Sequence, residues 1–388
     1  MRLRFAAAAG ALTLAVAVTV PATPAFADGI RNDEWYLKSL NIAQAQAISR
    51  GSGVTVAVID TGVYPHPDLQ QNLLPGANFL PGGTGDGRTD PDGHGTNVAA
   101  LVAAHGKNSN DGALGIAPSA KILPIRAMNT REASSDDTLV NGTGWATAKG
   151  ASVINFSLAT GPSDGLINAV KTAISQNIVV VAGAGNYSKV AFLSYPAAID
   201  GVLVVGSTDR NGNHASFSVV DKRVDICAPG KDIVTAEPKN RYANVDGTSV
   251  SAPIVSGAVA LVRAKFPNLS GPEVVHRLEA TADDIGPPGR DDQCGFGELN
   301  IVKALTADVP PLGNSTGSAA VTPSASASDD GQPHYIDPGA TTAAAQPNND
   351  DAASGSSSTP LILGLVAGLV VAGGLVALFV ARQRRRNS

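Results

Sequence analysis

The stretch "VDGTSVSAPIVSG", residues 245–257, contains three serines, and one of them stands where a nucleophile is expected. Pro253 is tolerated in a first helical turn, so a helix is predicted to open at residues 251–253. The backbone N–H of Ser249 would then lie near the positive end of that helix, where negative charge is stabilised. Ser251 and Ser256 would lie inside the helix, where small side chains serve packing. The alternative is that all three serines only allow a buried helix to pack closely.

A serine nucleophile needs a base, a group that orients the base and a donor to the oxyanion, and the chain offers a candidate for each. Asp60 ends the apolar run "VTVAVID", His94 lies between two glycines in "DGHGT", and Asn186 ends "VVVAGAGN". Each residue also has an ordinary alternative. These are an aspartate that closes a turn, a structural histidine and an asparagine that caps a turn.

Short apolar runs recur through the chain and do not alternate with polar residues, so both faces of each predicted strand are expected to be buried. They are residues 54–60, 121–128, 152–158, 177–186, 201–208 and 224–230. Helical patterns lie between several of them, at residues 96–105, 139–149 and 165–176. This order predicts an α/β fold with a three-layer, mainly parallel, doubly wound sheet. Functional groups in such sheets gather beyond the carboxyl ends of the strands.

The two ends of the chain have the patterns of an export signal and a membrane anchor. Arg2 and Arg4 precede an apolar stretch and then "AFA" at residues 25–27, which predicts a cleaved signal peptide, with an uncleaved anchor as the alternative. Residues 361–380, "LILGLVAGLVVAGGLVALFV", carry no charge and are long enough to cross a ~30 Å hydrocarbon layer. The arginines that follow predict a cytoplasmic C-terminus.

Composition divides the rest of the chain and restricts its partners. A segment rich in Ser, Thr, Ala, Pro and Asp precedes the anchor and predicts a disordered tether. A net charge of −5 argues against a nucleic-acid partner, because binding phosphates needs a basic face. The predicted divisions are a signal peptide (1–27), an N-terminal extension (28–50), a globular domain (51–306), a linker (307–359), a transmembrane helix (360–381) and a basic tail (382–388).

Export places the two cysteines, Cys227 and Cys294, in an oxidising compartment. One disulfide between them is the simplest pairing. Two free thiols remain the alternative.

Four segments, "VAVIDTGV", "DGHGTNVA", "AGAGN" and "DGTSVSAP", resemble the motifs of the subtilisin family of serine proteases, in that family's Asp, His, Ser order. The resemblance covers nearly all of residues 40–306. It implies that Ser249 is the nucleophile, His94 the general base and then acid, and Asp60 the group that orients the imidazole. Asn186 and the Ser249 N–H would bind the oxyanion. The implied substrate-binding residues are Ser157, Leu158, Ala159, Gly183, Ala184 and Gly185.

The chain departs from the family pattern in the strand that pairs with substrate, where Ala159 stands in place of the usual glycine. Its methyl group is expected to reshape a subsite, so substrate preference does not carry over. The stretch "HGKNSNDGALG", residues 105–115, resembles the family's calcium loop. That resemblance implies calcium near Asp68, Asn108 and Asn110, although relatives without the metal are also familiar and asparagine-rich loops are ordinary turns. Hydrolysis itself is expected to require no cofactor.

The overall layout resembles the mycosins, membrane-anchored proteases associated with type VII secretion. The resemblance implies a single-pass cell-membrane protein with an extracytoplasmic catalytic domain, a cytoplasmic C-terminus and a protein or peptide substrate. It also implies a type VII secretion membrane complex as partner. Two alternatives to an active processing enzyme stay open. One is a mainly structural component of that complex, and the other is a degenerate, inactive relative.

Overall fold

The computed structural model of the chain describes residues 29–108, 110–130, 133–186 and 192–312. Its strands are, in chain order, β1 (Thr55–Asp60), β2 (Ala77–Asn78), β3 (Lys121–Arg126), β4 (Met128–Thr130), β5 (Ala133–Ser134), β6 (Val153–Phe156), β7 (Val179–Gly183), β8 (Leu203–Thr208), β9 (Ile226–Pro229), β10 (Ile233–Glu237) and β11 (Arg241–Val245). Its helices are α1 (Ile30–Asp33), α2 (Trp35–Ser39), α3 (Ile42–Ile48), α4 (His94–Ala103), α5 (Asp136–Ala148), α6 (Asp164–Ser175), α7 (Thr248–Lys265), α8 (Gly271–Ala280) and α9 (Ile301–Thr306).

Seven of the strands form one sheet, in the order β2-β3-β1-β6-β7-β8-β9, and every neighbouring pair in it runs parallel. The six predicted apolar runs all contain a strand of this sheet. The mainly parallel α/β prediction is therefore confirmed. The remaining strands form two antiparallel pairs, β4 with β5 and β10 with β11.

Both faces of the sheet are covered, as the non-alternating runs predicted. Val56 and Val58 of β1 belong to a core cluster shared with α4 and α7, whereas Ala57 and Ile59 belong to a second cluster shared with α5 and α6. Successive residues of one strand thus enter opposite cores, because side chains alternate across a sheet. Helices on either side of the sheet give three layers.

The N-terminal segment, residues 29–50, is part of the folded domain. Gln46 donates to the carbonyl oxygens of Gly115 and Ile116, and the Ser49 hydroxyl donates to the carbonyl of Leu261. Leu261 follows Ser249 by twelve residues within α7, which is about 18 Å along the helix axis. The end of the segment at Ser49 therefore packs against the part of α7 that is remote from Ser249.

Cys227 of β9 and Cys294 form a disulfide bond, as predicted, rather than remaining two free thiols. Every described residue falls in the N-terminal of two units into which the chain divides at Ser318. Within residues 29–312, leaving out the gaps given above, no helix combines the length and apolar character needed to cross a membrane. The predicted signal peptide, the transmembrane helix at 360–381 and the basic tail lie outside the described residues, as does nearly all of the predicted linker.

Candidate active site

A buried aspartate and a histidine meet at the carboxyl end of β1. Asp60 is the last residue of β1 and is fully buried, and His94 is the first residue of α4 with 6% of its surface exposed. His94 Nδ1 lies 2.8 Å from Asp60 Oδ1, and the same oxygen accepts a hydrogen bond from the Thr61 N–H at 2.7 Å. This contact fixes the orientation of the imidazole ring and directs Nδ1 at the carboxylate.

Gly93 turns the chain sharply before His94. Its φ of +100° lies in the left-handed region that favours glycine, and it is the N-cap residue of α4. The helix begins at His94 itself, two residues earlier than the predicted start at Thr96. The imidazole still lies at the amino end of the helix, as expected, but it belongs to the first turn rather than preceding it.

Ser249 is the second residue of α7, which begins at Thr248 rather than at the predicted Ser251. It is half-buried. Ser251 and Ser256 are fully buried and hydrogen-bonded within the protein, to Ser207 Oγ at 2.8 Å and to Asn155 Oδ1 at 2.8 Å respectively. Of the three serines, Ser249 alone retains access to solvent.

Asn186 lies beside the nucleophile candidate, three residues beyond the end of β7. Its Oδ1 accepts hydrogen bonds from the Thr248 N–H at 2.8 Å and from the Thr248 hydroxyl at 3.1 Å, which leaves the Nδ2 end of the amide as the donor. A Cβ added at Gly247 would lie 2.9 Å from Asn186 Nδ2 and 3.0 Å from Ser249 Oγ. The two side chains therefore face one small space, next to the backbone of Gly247.

The carboxyl ends of three neighbouring strands carry these groups. Asp60 ends β1, Ser157 follows β6, and Gly183 ends β7, in a sheet where β6 lies between β1 and β7. The Ser157 hydroxyl donates to the carbonyl of Ser249 at 2.8 Å, and a Cβ at Gly183 would lie 2.9 Å from the Thr248 carbonyl. The first turn of α7 thus rests on the edge of the sheet. Parallel strands gather functional groups at this edge.

The predicted substrate-binding residues occupy the same edge. Ala159 is exposed and Gly183 and Gly185 are partly exposed, whereas Ser157, Leu158 and Ala184 are buried. The Ser157 hydroxyl is used within the protein, since it also accepts from Asn155 Nδ2 at 3.0 Å. Contact of these six residues with substrate stays a prediction.

The positively charged side chain of Arg31 already contacts the predicted calcium loop. The Arg31 guanidinium donates to the carbonyl oxygen of Gly112 at 2.9 Å and to that of Asp111 at 3.3 Å. Asp68 is fully buried, and its Oδ2 accepts from the Ala113 N–H at 2.7 Å and from the Tyr242 hydroxyl at 2.8 Å. A guanidinium on these carbonyls repels a second cation nearby, because like charges repel.

The contacts of the two asparagines predicted to lie near the metal do not indicate a metal site either. Asn108 and Asn110 are exposed, and Asn108 Oδ1 accepts from the Asn110 N–H at 3.0 Å within the turn. Among the residues that the structure describes, no group of three or more His, Cys, Asp or Glu side chains is arranged to hold a metal ion. Calcium near Asp68 stays a prediction: the Arg31 guanidinium disfavours it, whereas Asp68 Oδ1 is buried with no hydrogen-bond partner among the described residues.

Two supporting residues were missed by reasoning from sequence. Thr248 orients Asn186, and Asp90 joins the segments that carry Asp60 and His94 through hydrogen bonds to Thr61 and Thr96. Burial raises the pKa of the Asp90 carboxyl above its usual value. The signal for Asp90 was its position four residues before His94 in "DPDGHGT", a stretch that also reads as an ordinary polar loop.

The chain belongs to the subtilase family, Peptidase S8, whose family model matches residues 51–297. It is 42% identical over 239 residues to subtilisin Savinase from Lederbergia lenta, which covers 61% of this chain and 86% of that protein. These similarities identify the chain as a serine endopeptidase.

The solved structures that this chain resembles include two proteins named MycP1 and MycP3. The crystal structure of MycP1 with its N-terminal propeptide removed has a TM-score of 0.64 and 31% sequence identity, covering 71% of this chain and 98% of that one. The structure of MycP3, a protease from the type VII (ESX-3) secretion system, has a TM-score of 0.61 and 34% identity, covering 71% of this chain and 88% of that one.

Proposed function

We propose that the chain cleaves peptide bonds of an exported protein with Asp60, His94 and Ser249 as its catalytic triad and Asn186 as an oxyanion donor. The observation that carries the proposal is the buried 2.8 Å contact between His94 Nδ1 and Asp60 Oδ1. Since Nδ1 faces the carboxylate, Nε2 is the ring nitrogen that we propose exchanges a proton with the Ser249 hydroxyl.

In the first half of the reaction, Ser249 Oγ attacks the carbonyl carbon of the scissile bond and its proton passes to His94 Nε2. The electron pair of the carbonyl moves to oxygen, where Asn186 Nδ2–H and the Ser249 N–H donate to it. Collapse of this intermediate breaks the C–N bond, and His94 returns the proton to the leaving amine. An ester on Ser249 remains.

In the second half, water replaces the amine. His94 removes a proton from the water as its oxygen attacks the ester carbon, and the same donors bind the second oxyanion. The intermediate collapses with release of the carboxylic acid, and His94 returns the proton to Ser249 Oγ. Asp60 stabilises the imidazolium in both halves without itself taking the proton.

Replacement of the nucleophile tests this proposal. Ser249→Ala should abolish hydrolysis of a casein or peptide substrate while the variant unfolds at the temperature of the unaltered protein. Ser216→Ala, at an exposed serine, is the matched control and should retain full activity. Hydrolysis by purified Ser249→Ala at the control rate would contradict the triad.

We further propose that the protease is held at the extracytoplasmic face of the cell membrane by residues 360–381 and acts with a type VII secretion complex. Similarity to MycP1 and MycP3 supports this role, as does the uncharged stretch at residues 361–380. Mass spectrometry of proteins secreted by cells with the unaltered enzyme and with Ser249→Ala should identify a substrate whose cleavage depends on Ser249. Identical secreted peptides from both strains would contradict a processing role.

A mainly structural role in the secretion complex is the second candidate, favoured by the same similarity to MycP3. This role does not require proteolysis, so it makes a different prediction for the same variant. Secretion should continue with Ser249→Ala and stop when residues 360–388 are deleted. Secretion that stops with Ser249→Ala and continues with the deletion would exclude this second role.

A further inference from the structure

We propose that Asp90 is a positioning residue that aligns the strand end carrying Asp60 with the helix start carrying His94. The inference rests on the proposed function, because it concerns the alignment of those two residues. Asp90 lies in the loop before α4 and is 5% exposed.

Four donors converge on the Asp90 carboxylate. Its Oδ1 accepts from the Thr61 hydroxyl at 2.8 Å and from the Gly93 N–H at 2.8 Å. Its Oδ2 accepts from the Thr96 N–H at 2.9 Å and from the Thr96 hydroxyl at 2.5 Å. One oxygen thus reaches both the strand end and the residue before His94, while the other binds the first turn of α4.

Thr61 carries the connection to Asp60. Its N–H donates to Asp60 Oδ1, the oxygen that contacts His94, and its hydroxyl accepts from the Gly95 N–H at 3.0 Å. The Thr61 hydroxyl is therefore held by Asp90 on one side and by the helix on the other. A Cβ at Gly95 would lie 2.0 Å from the carbonyl oxygen of Gly62, so the two backbones touch. Movement of either segment is transmitted to the other.

Only a carboxylate satisfies this arrangement, because an ionised carboxylate accepts at both oxygens and donates at neither. An amide at position 90 must turn its NH₂ group towards a backbone N–H, either that of Thr96 or that of Gly93, because a hydroxyl can accept but a backbone N–H cannot. The start of α4 would shift to relieve that contact. A displacement of about 1 Å in a catalytic group can cost ~10²-fold in rate.

Asp225, a partly buried aspartate that pairs with Arg290, supplies the control. Asp225 Oδ2 accepts from the Val204 N–H at 2.9 Å, and burial raises the pKa of Asp225, as it does for Asp90. Asp225 immediately precedes β9, so it lies at the amino end of its strand, opposite the edge that carries Asp60. Loss of a hydrogen-bonded carboxylate in itself should lower stability at either position without a specific effect on kcat.

The experiment compares Asp90→Asn and Asp225→Asn for kcat, KM, melting temperature and the pH dependence of kcat/KM. We expect Asp90→Asn to lower kcat about 10- to 100-fold with KM within about twofold, because a misaligned base weakens the transition state rather than substrate binding. The pKa of the catalytic base in the pH profile should also shift. Asp225→Asn should lower only the melting temperature. Equal kcat values and pH profiles in the two variants would overturn the inference.

A second pair of variants decides the matter if Asp90→Asn does not fold. Thr61→Val removes the hydroxyl that joins Asp90 to the helix, whereas Thr61→Ser keeps it. The serine variant should retain kcat and the valine variant should have a lower kcat. Equal kcat values would overturn the inference.

Ser249→Ala, measured alongside, separates this inference from the proposed function on which it rests. An active Ser249→Ala defeats the proposed triad, while an inactive one with unaltered Asp90→Asn defeats only the role of Asp90.

Discussion

Pro253 lies four residues after Ser249 within α7 and has no N–H to offer the carbonyl of Ser249, which accepts from the Ser157 hydroxyl at 2.8 Å instead. In a regular helix the N–H of residue i+4 makes this bond. Proline removes that donor, and the missing bond is replaced from the edge of the sheet. The residue proposed as nucleophile is thereby tied to β6, the strand between those that lead to Asp60 and Asn186.

Removal of the Ser157 hydroxyl should loosen this attachment. Ser157→Ala leaves the Ser249 carbonyl without its donor, which should cost about 1–3 kcal/mol of stability. It should also lower kcat, because the first turn of α7 carries the nucleophile. Ser256→Ala is the matched control: it removes another buried hydroxyl bond to the sheet, but from a position deeper in α7. Urea unfolding and steady-state kinetics check both, and the same kcat in the two variants would contradict the positional role of Ser157.

Gly247 should tolerate no side chain. Its φ of +144° is strained for any other residue, and an added Cβ would enter the space between Asn186 Nδ2 and Ser249 Oγ, where the oxyanion is proposed to bind. Gly247→Ala is expected to lower kcat by ~10²-fold or more. Gly150, at a φ of +71° with open space around its Cβ position, provides Gly150→Ala as the control for backbone strain alone. If Gly150→Ala loses as much activity as Gly247→Ala, the proposed oxyanion site is wrong.

Stability should not depend on calcium. The Arg31 guanidinium donates hydrogen bonds to the carbonyl oxygens of Asp111 and Gly112 and supplies the positive charge at this loop. A chelator should therefore leave the melting temperature unchanged. Arg31→Ala should lower it by several degrees, about 2–4 °C per kcal/mol for a domain of this size. Lys38→Ala, at an exposed position of the same segment, is the control. A fall in the melting temperature of the unaltered protein on chelation, restored by calcium, would show that the loop binds the metal after all.

Stability should fall as the solution becomes alkaline. Burial raises the pKa of Glu34 from 4.5 to about 8, so between these values the folded protein binds a proton that the unfolded chain has lost. Unfolding then becomes easier with rising pH, and the loss is complete above the folded pKa. Glu34→Gln cannot titrate and should flatten this slope, whereas Asp33→Asn, at an exposed neighbour, should not. Thermal unfolding from about pH 5 to about pH 9 measures both slopes, and a Glu34→Gln slope equal to that of the unaltered protein would contradict this origin.

The sequence predicted most of the sheet and the local settings of the four site residues, because those depend on short runs. β1 is recognisable from the four apolar residues directly before Asp60, and glycines mark the turns at His94 and before Ser249. Contacts between distant segments were not predictable in this way. The bond from Ser157 to Ser249 spans 92 residues and depends on β6 lying beside β1, a fact of topology rather than of local pattern.

Helix starts were also missed, for a local reason. Gly247 caps α7 and Gly93 caps α4 without a side-chain hydrogen bond, so neither helix has the serine or aspartate N-cap that marks a start in sequence. Both helices therefore begin two or three residues earlier than predicted. The consequence is functional, since His94 and Ser249 each lie in a first helical turn.

Labelling with a fluorophosphonate, followed by mass spectrometry of the modified peptide, tests the triad most directly. The reagent modifies only an activated serine, so the label should be found on Ser249 in the unaltered protein and should be nearly absent from His94→Ala and Asp60→Asn. A label on another serine, or undiminished labelling of Ser249 in both variants, would contradict the assignment of Asp60, His94 and Ser249 as one catalytic unit.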